Sequence, residues 1–516
     1  ANGDTLTLNA VDLSGKTMNI TMNGTANLVI VSDASSHDFS NITVTKGTGK
    51  VTLDVNINKD ISGTNIHNII DIFDVASGNS LTLSHTQFNT HTGIGTGTLK
   101  LSDTSLTGAQ IKSVNDASTN AIDLSNVTTI SSATMSEMLE IVNNTGSIFT
   151  TASNYAVNIS NTASATNINS VLGDTTGVVT ATVTTDTASN LNSALGSATA
   201  TDVLTITVSA GSAAASDLIA LDNKTSVTID ATAITTITGT GAQVATVATA
   251  SGISTSTNYL ATLSGTSTIS DVNIVTGDTT GIVTAIVTAD TAANLNTGLS
   301  NATASDALTL TVNGAIATAA DLISLDGKTS VAISVTATAV SGLYADLTTV
   351  YVTNASSYTN LGDENVTITD TQSATNVNTI LNKTSGIVTA TVSADTAANL
   401  NTNLVNATAT DALSLTVTDT NLSSLTNLLA LDAKTSVAVN ASNITAISET
   451  YANLNTAYSS AGISGLGNEA VTITDTQSAT NVNTILGKTT GVVTATVSTD
   501  TASNLNSALT NATSTD

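Results

Sequence analysis

The sequence predicts a repeat solenoid: a parallel β-solenoid with short helical turns on one side of each coil. Three observations predict it. "GIVTATVSADTAANLNTNL" at Gly386 recurs nearly unchanged at Gly177, Gly281 and Gly491, 104 or 105 residues apart. Within one such period, strand-like runs start at Val388, Leu413, Val437, Val471 and Val493, 22 to 34 residues apart. The 516 residues include no Pro, against about 5% in ordinary globular chains. A long parallel ladder needs each N–H, which Pro lacks. Self-similarity at a fixed period signals a repeat architecture.

The elements follow in chain order. Residues 1–155 are dense in strand-like runs, such as "LTLNA" at Leu6, "NLVIVS" at Asn27, "VTLDVNI" at Val51 and "TLKLSDT" at Thr98. Helical stripes are scarce there until "SEMLEIVNN" at Ser136, which predicts an all-β solenoid block. Residues 156–516 read as tandem super-repeats of roughly four coils each, with coils of leucine-rich-repeat-like length. In each strand the apolar residues alternate. Val388, Ala390 and Val392 are expected to face inward, and Thr389 and Thr391 outward. A short apolar stripe follows each strand: Ala397, Leu400, Leu404 and Ala407; Leu422, Leu425 and Leu429; Tyr451, Leu454 and Tyr458; Ala374, Val377 and Leu381. These stripes are Asn-rich, so their helicity must come from packing. No single coil buries its stripe, so coils must stack in series. At ~4.8 Å per strand, twenty coils make a rod of roughly 100 Å. Asp516 falls at the register of Asp411, which predicts that the repeats continue. The start at Ala1, without Met, predicts a processed or trimmed beginning.

Charged residues make up only 9% of the chain, yet its net charge is −27. Binding to nucleic acid or anionic membrane needs clustered Lys and Arg, so both are disfavoured. No apolar run approaches the ~20 residues of a membrane span, so no membrane insertion is expected. A sparse acidic surface of Thr, Ser and Asn fits an extracellular, cation-rich setting. Aromatics are 2%, and Cys and Trp are absent. The core must therefore be thin layers of Val, Ile, Leu and Ala.

The acids fall into columns. Asp186, Asp290, Asp395 and Asp500 share one register, Asp370 and Asp475 another, and Asp419 a third; all follow a strand and precede Thr. Two roles are open to them. They can cap the helices that follow, or they can hold calcium between stacked coils, where carboxylates about 5 Å apart repel and a hard cation relieves them. Calcium is thus the one candidate cofactor. Lys224, Lys328 and Lys434 recur in an "LDxKTS" motif, which reads as a surface turn with a local Asp–Lys pair. "NAT" at Asn301, Asn406 and Asn511 fits a glycosylation sequon, but duplication in an Asn- and Thr-rich chain also accounts for it. His37, His67, His85 and His91 match no zinc spacing. No G-x-S-x-G elbow and no non-repeating acid–base cluster occurs, so no catalytic residue is expected.

"AGISGLGNEAVTITDT" from Ala461, with "ETYANLNTAYSS" before it, resembles the tandem-repeat regions of very long secreted bacterial surface proteins, of the RTX-associated adhesin or surface-layer type. The resemblance covers Val157 to Asp516. It implies an extracellular structural protein forming a surface layer, fibre or adhesin stalk. The implied partners are further copies of the chain, in a fibre or lattice, or cell-surface glycans. The RTX nonapeptide, Gly-Gly-x-Gly-x-Asp in outline, is absent, so its calcium sites do not carry over. The alternative function is an ice-binding or carbohydrate-binding solenoid presenting Thr-rich rows such as Thr389/Thr391 and Thr472/Thr474.

Overall fold

A computed structural model describes residues 3–516. The chain is mixed α/β, with short strands in open parallel sheets and short helices between them. Paired residues lie 18 to 27 positions apart, so each strand bonds to the next round of the chain. The chain divides into two compact units, residues 1–239 with 246–260 and residues 240–245 with 261–516.

In the first unit, Thr5–Asn9, Asn27–Val31, Val51–Val55, Ile72–Val75 and Thr92–Gly95 form one five-stranded parallel sheet. Lys59–Asp60, Ser80–Leu83, Thr98–Leu101, Ala121–Leu124 and Phe149–Thr151 form a second. The block before residue 155 is not all strand, however. Helices Gly108–Asp116 and Met135–Asn143 lie within it. Both begin with a reciprocal cap, Thr107 with Gln110 and Thr134 with Glu137. Those Thr-x-x-Gln and Thr-x-x-Glu pairs mark a helix start in the sequence itself.

The second unit repeats the same plan. Ala317–Thr318, Ala339–Gly342, Asn365–Ile368, Val388–Thr391 and Ala412–Ser414 form one sheet; Asn421–Leu422, Ala446–Glu449, Ala470–Gln477 and Val493–Val497 form another. Residues near 412–416 serve two sheets. Thr389 pairs with Ala412, whereas Thr416 pairs with Asn440. The run at Val437 therefore contributes Val439–Asn440 to a separate two-stranded sheet with Ile463–Ser464. Four helices occupy one period: Ala374–Leu381, Ala397–Asn403, Thr426–Asp432 and Tyr451–Ser459.

The core is the apolar stripe of each helix against the inward residues of its strand. Val388, Ala390, Ala397, Leu400 and Leu404 are all buried, while Thr389 and Thr391 are exposed. The stripe after Leu413 lies in a different frame from the expected one. Leu425, Leu428 and Leu431 are buried, and Leu422 belongs to a strand. A loop Ser-Ser pair delays the helix, so 3.6-residue counting must start later. The glycine that opens each copy is required by close approach. A Cβ on Gly177, Gly386 or Gly491 would lie 2.2 Å from the carbonyl oxygen of Tyr155, Glu364 or Glu469 in the preceding round.

Candidate functional site

The acidic columns are the feature that the sequence marks most clearly, and each has a definite task. Asp395 sits one residue ahead of the helix cap. Thr396 is the N-cap: its hydroxyl accepts from Asn399 N at 3.2 Å, and its carbonyl accepts from Leu400 N at 3.0 Å. Asp395 Oδ1 accepts from Thr396 N at 2.7 Å and from the Asn399 amide at 2.8 Å. Asp186, Asp290 and Asp500 repeat this with Asn190, Asn294 and Asn504. The aspartate thus braces the cap and is not the cap, because Thr396 supplies the first helical carbonyl. The Asn side chain, then the backbone N–H, holds Asp186, Asp290 and Asp500 below the usual carboxylate range.

The other two registers act across rounds. Asp419 Oδ2 accepts from Ala397 N, at 2.7 Å, at the start of the preceding round's helix. Asp370 and Asp475 do the same for Tyr344 N and Tyr451 N, both at 2.9 Å. Asp103 serves His85 N at 2.6 Å, and Asn161 serves Met135 N at 2.7 Å. An orphan donor at a helix start is thereby satisfied by a negative or polar group, with the favourable sign for the helix dipole.

The lysines close the opposite ends. Lys434 Nζ donates to Asn401 O at 2.9 Å and Leu404 O at 2.7 Å; Lys328 donates to Leu299 O at 2.8 Å; Lys224 donates to Asn192 O at 2.6 Å. The expected Asp–Lys pair in "LDxKTS" is therefore corrected, since each ammonium reaches helix-end carbonyls of the preceding round. The motif's Asp432 instead accepts from Ser460 Oγ at 2.6 Å, and its Thr435 is buried, with Oγ1 between Leu413 N at 3.0 Å and Leu413 O at 2.8 Å. Helix Ala397–Asn403 is gripped at both ends by one following round, through Asp419 and Lys434.

A further set escapes the sequence reading. Asp202, Asp306 and Asp411 are buried. Asp411 Oδ1 accepts from Val388 N at 2.8 Å, and its Oδ2 from Thr408 N at 2.8 Å and Thr408 Oγ1 at 3.0 Å. Asp306 and Asp202 make the same bonds to Val283 N and Val179 N, both at 2.9 Å. The available signal is Thr-x-x-Asp, at 199, 303, 408 and 513. At 303, 408 and 513 it begins at the Thr of "NAT", whose Asn301, Asn406 and Asn511 donate their N–H to Asn273, Asn378 and Asn483. Phenols pair with acids as well: the buried Tyr351 with Glu364 and Tyr155 with Asp174 at 2.8 Å, and the half-buried Tyr458 with Glu469. Gly177, Gly386 and Gly491 place Tyr155, Glu364 and Glu469 at equivalent positions, but their partners differ: Asp174 follows Tyr155, whereas Tyr351 and Tyr458 precede Glu364 and Glu469.

No family model matches the chain, and no curated protein matches it. Among the described residues, no three His, Asp or Glu side chains come together as a metal-binding group. Among the described residues no helix is long and apolar enough to cross a membrane. The recurring lysines and aspartates make hydrogen bonds that join one round to the next.

Proposed function

We propose that the chain is an extracellular structural element, a parallel β-solenoid with one helical side that acts as a spacer in a surface layer, fibre or adhesin stalk. One observation carries the reading. The recurring groups Asp370, Asp475, Lys224, Lys328 and Lys434, and the single Asp419, each tie one round to the round before it. Such side chains stiffen a stack and leave no reactive cluster. Nearest-neighbour ties of this kind are the stability currency of solenoids, and added rounds extend them without limit. The net charge of −27 keeps single chains apart at low salt. Partners on this reading are further copies or cell-surface glycans. Electron microscopy of the native cell surface, with antibody against the repeats, tests it: labelled fibres or a lattice are expected. Specific hydrolase or lyase turnover lost on changing one acid would overturn it.

A second reading has its own observation. Ser341, Thr367 and Thr389 stand side by side in consecutive strands, as do Ser448, Thr472 and Thr494. Rows of outward hydroxyls at strand spacing can order water or meet a sugar surface. Ala412 ends the first row, so each row is short. Thermal hysteresis of the purified protein separates this reading from the structural one.

A further inference from the structure

The sheet made by Met18–Met22 and Ile42–Lys46 has only two strands. Where the next round would supply a third, it forms the 3-10 turn Ile66–Ile69 instead. In a parallel pair, successive residues aim their backbone groups alternately to either side. Met18 N donates to Asn41 O, and Gly47 N to Met22 O. Thr43 and Thr45 therefore face the strand Met18–Met22, and the backbone groups of Val44 and Lys46 point the other way. Among the described residues, no backbone bond joins 42–46 to 65–70.

That unpaired edge lines a cleft of about 580 Å³, walled also by Phe39, His67, Ile70 and His91. Its rim is held in place. Lys46 and Asp71 form an ion pair, and Asp71 also accepts from Val51 N at 2.8 Å. His91 Nδ1 lies 2.8 Å from Asn89 O, and its Nε2 lies 3.2 Å from His67 O. Between them Thr90 keeps a φ of 73°, in the left-handed region. Lys46 and Asp71 cancel each other's charge. Burial, with His91 beside it, pushes the His67 imidazole below its ordinary value, so it adds none. A strand residue fills about 160 Å³, from 3.3 Å of rise, 4.8 Å of strand spacing and 10 Å of sheet spacing. The cleft has room for about four.

We propose that this edge binds an extended, uncharged segment of a partner polypeptide as a third parallel-sheet strand. Its main chain would bond to Val44 and Lys46, as in β-strand addition generally. Side chains at alternate positions would meet the half-buried Val44. The inference does not depend on the spacer reading.

The probe is the capped pentapeptide acetyl-TVTVT-amide, titrated to about 1 mM into the full chain with 15N-labelled valine and lysine. Saturable shifts of the Val44 and Lys46 amides are expected. The same peptide N-methylated at its three central residues should bind at least about tenfold more weakly. Val44→Pro should abolish the shift at Lys46. The lost N–H faces the cleft, so pairing to Met18–Met22 survives, as for Pro on edge strands generally. Unmoved Val44 and Lys46 amides, or an equal response to the N-methylated peptide, overturns the proposal. So does a response at these amides to maltotriose alone. If Val44→Pro unfolds the block, the two peptides on the unaltered chain decide.

Discussion

Asp411→Ala removes the acceptor for two backbone donors at once, Val388 N and Thr408 N, in a side chain only 3% exposed. The buried Val388 N–H left without a partner costs about 1–3 kcal/mol; Thr408 is exposed, so water can replace its acceptor. The loss falls on one junction, because Val388 opens one round and Asp411 the next. Native-state hydrogen exchange reads this directly. The Val388 amide should exchange faster by roughly fivefold or more, at 1.4 kcal/mol per tenfold, while amides of Val51–Val55 in the other unit keep their protection. Asp411→Asn retains one acceptor oxygen and should fall between. If Val388 exchanges unchanged in Asp411→Ala, or if protection falls equally at Leu53, the clamp does not stabilise its junction and the reasoning fails.

Gly386→Ala should destabilise the same junction by several kcal/mol, read as a shifted local unfolding midpoint. The new Cβ meets a backbone oxygen at 2.2 Å, and backbone cannot step aside as a side chain can. Stability should fall on both sides of neutral pH. Asp186, Asp290 and Asp500 have lowered folded values, so their contribution is present above the ordinary carboxylate value of ~3.9 and is lost as pH falls through the folded one. Burial, reinforced by the neighbouring acid, raises Tyr155, Tyr351 and Tyr458, so their contribution is present below pH ~10 and is lost as pH rises through the folded values. Melting temperature against pH should decline in both limbs, and Asp→Asn at the three aspartates should flatten the acid limb alone. Calcium at the Asp395 register is tested by chelation. Its Oδ1 is already engaged, which leaves Oδ2 for a cation. A calcium role requires chelator to lower the melting temperature of the natural chain and not of Asp395→Asn; equal melting in all four cases leaves the aspartate a brace.

The sequence by itself determined the 105-residue period, the alternation of strand and helix, and the inward set Val388, Ala390, Ala397 and Leu400. Those features follow from local periodicity, which any window of a dozen residues carries. It also showed where the acids recur, but not what they meet. The partner of Asp419 is 22 residues away, and the carbonyls held by Lys434 are 30 and 33 away. Only stacking one round on another brings such groups together. A local reading therefore turned toward the nearest neighbours: a cap directly behind Asp395 and an aspartate beside Lys434. The buried Asp411 was hidden for the same reason, since a charged side chain reads as surface until three donors from two rounds close over it. The open edge at Val44 is a tertiary fact as well. The strand Ile42–Lys46 looks like any other in sequence, and it is the turn at Ile66–Ile69, one round later, that leaves its backbone unpaired.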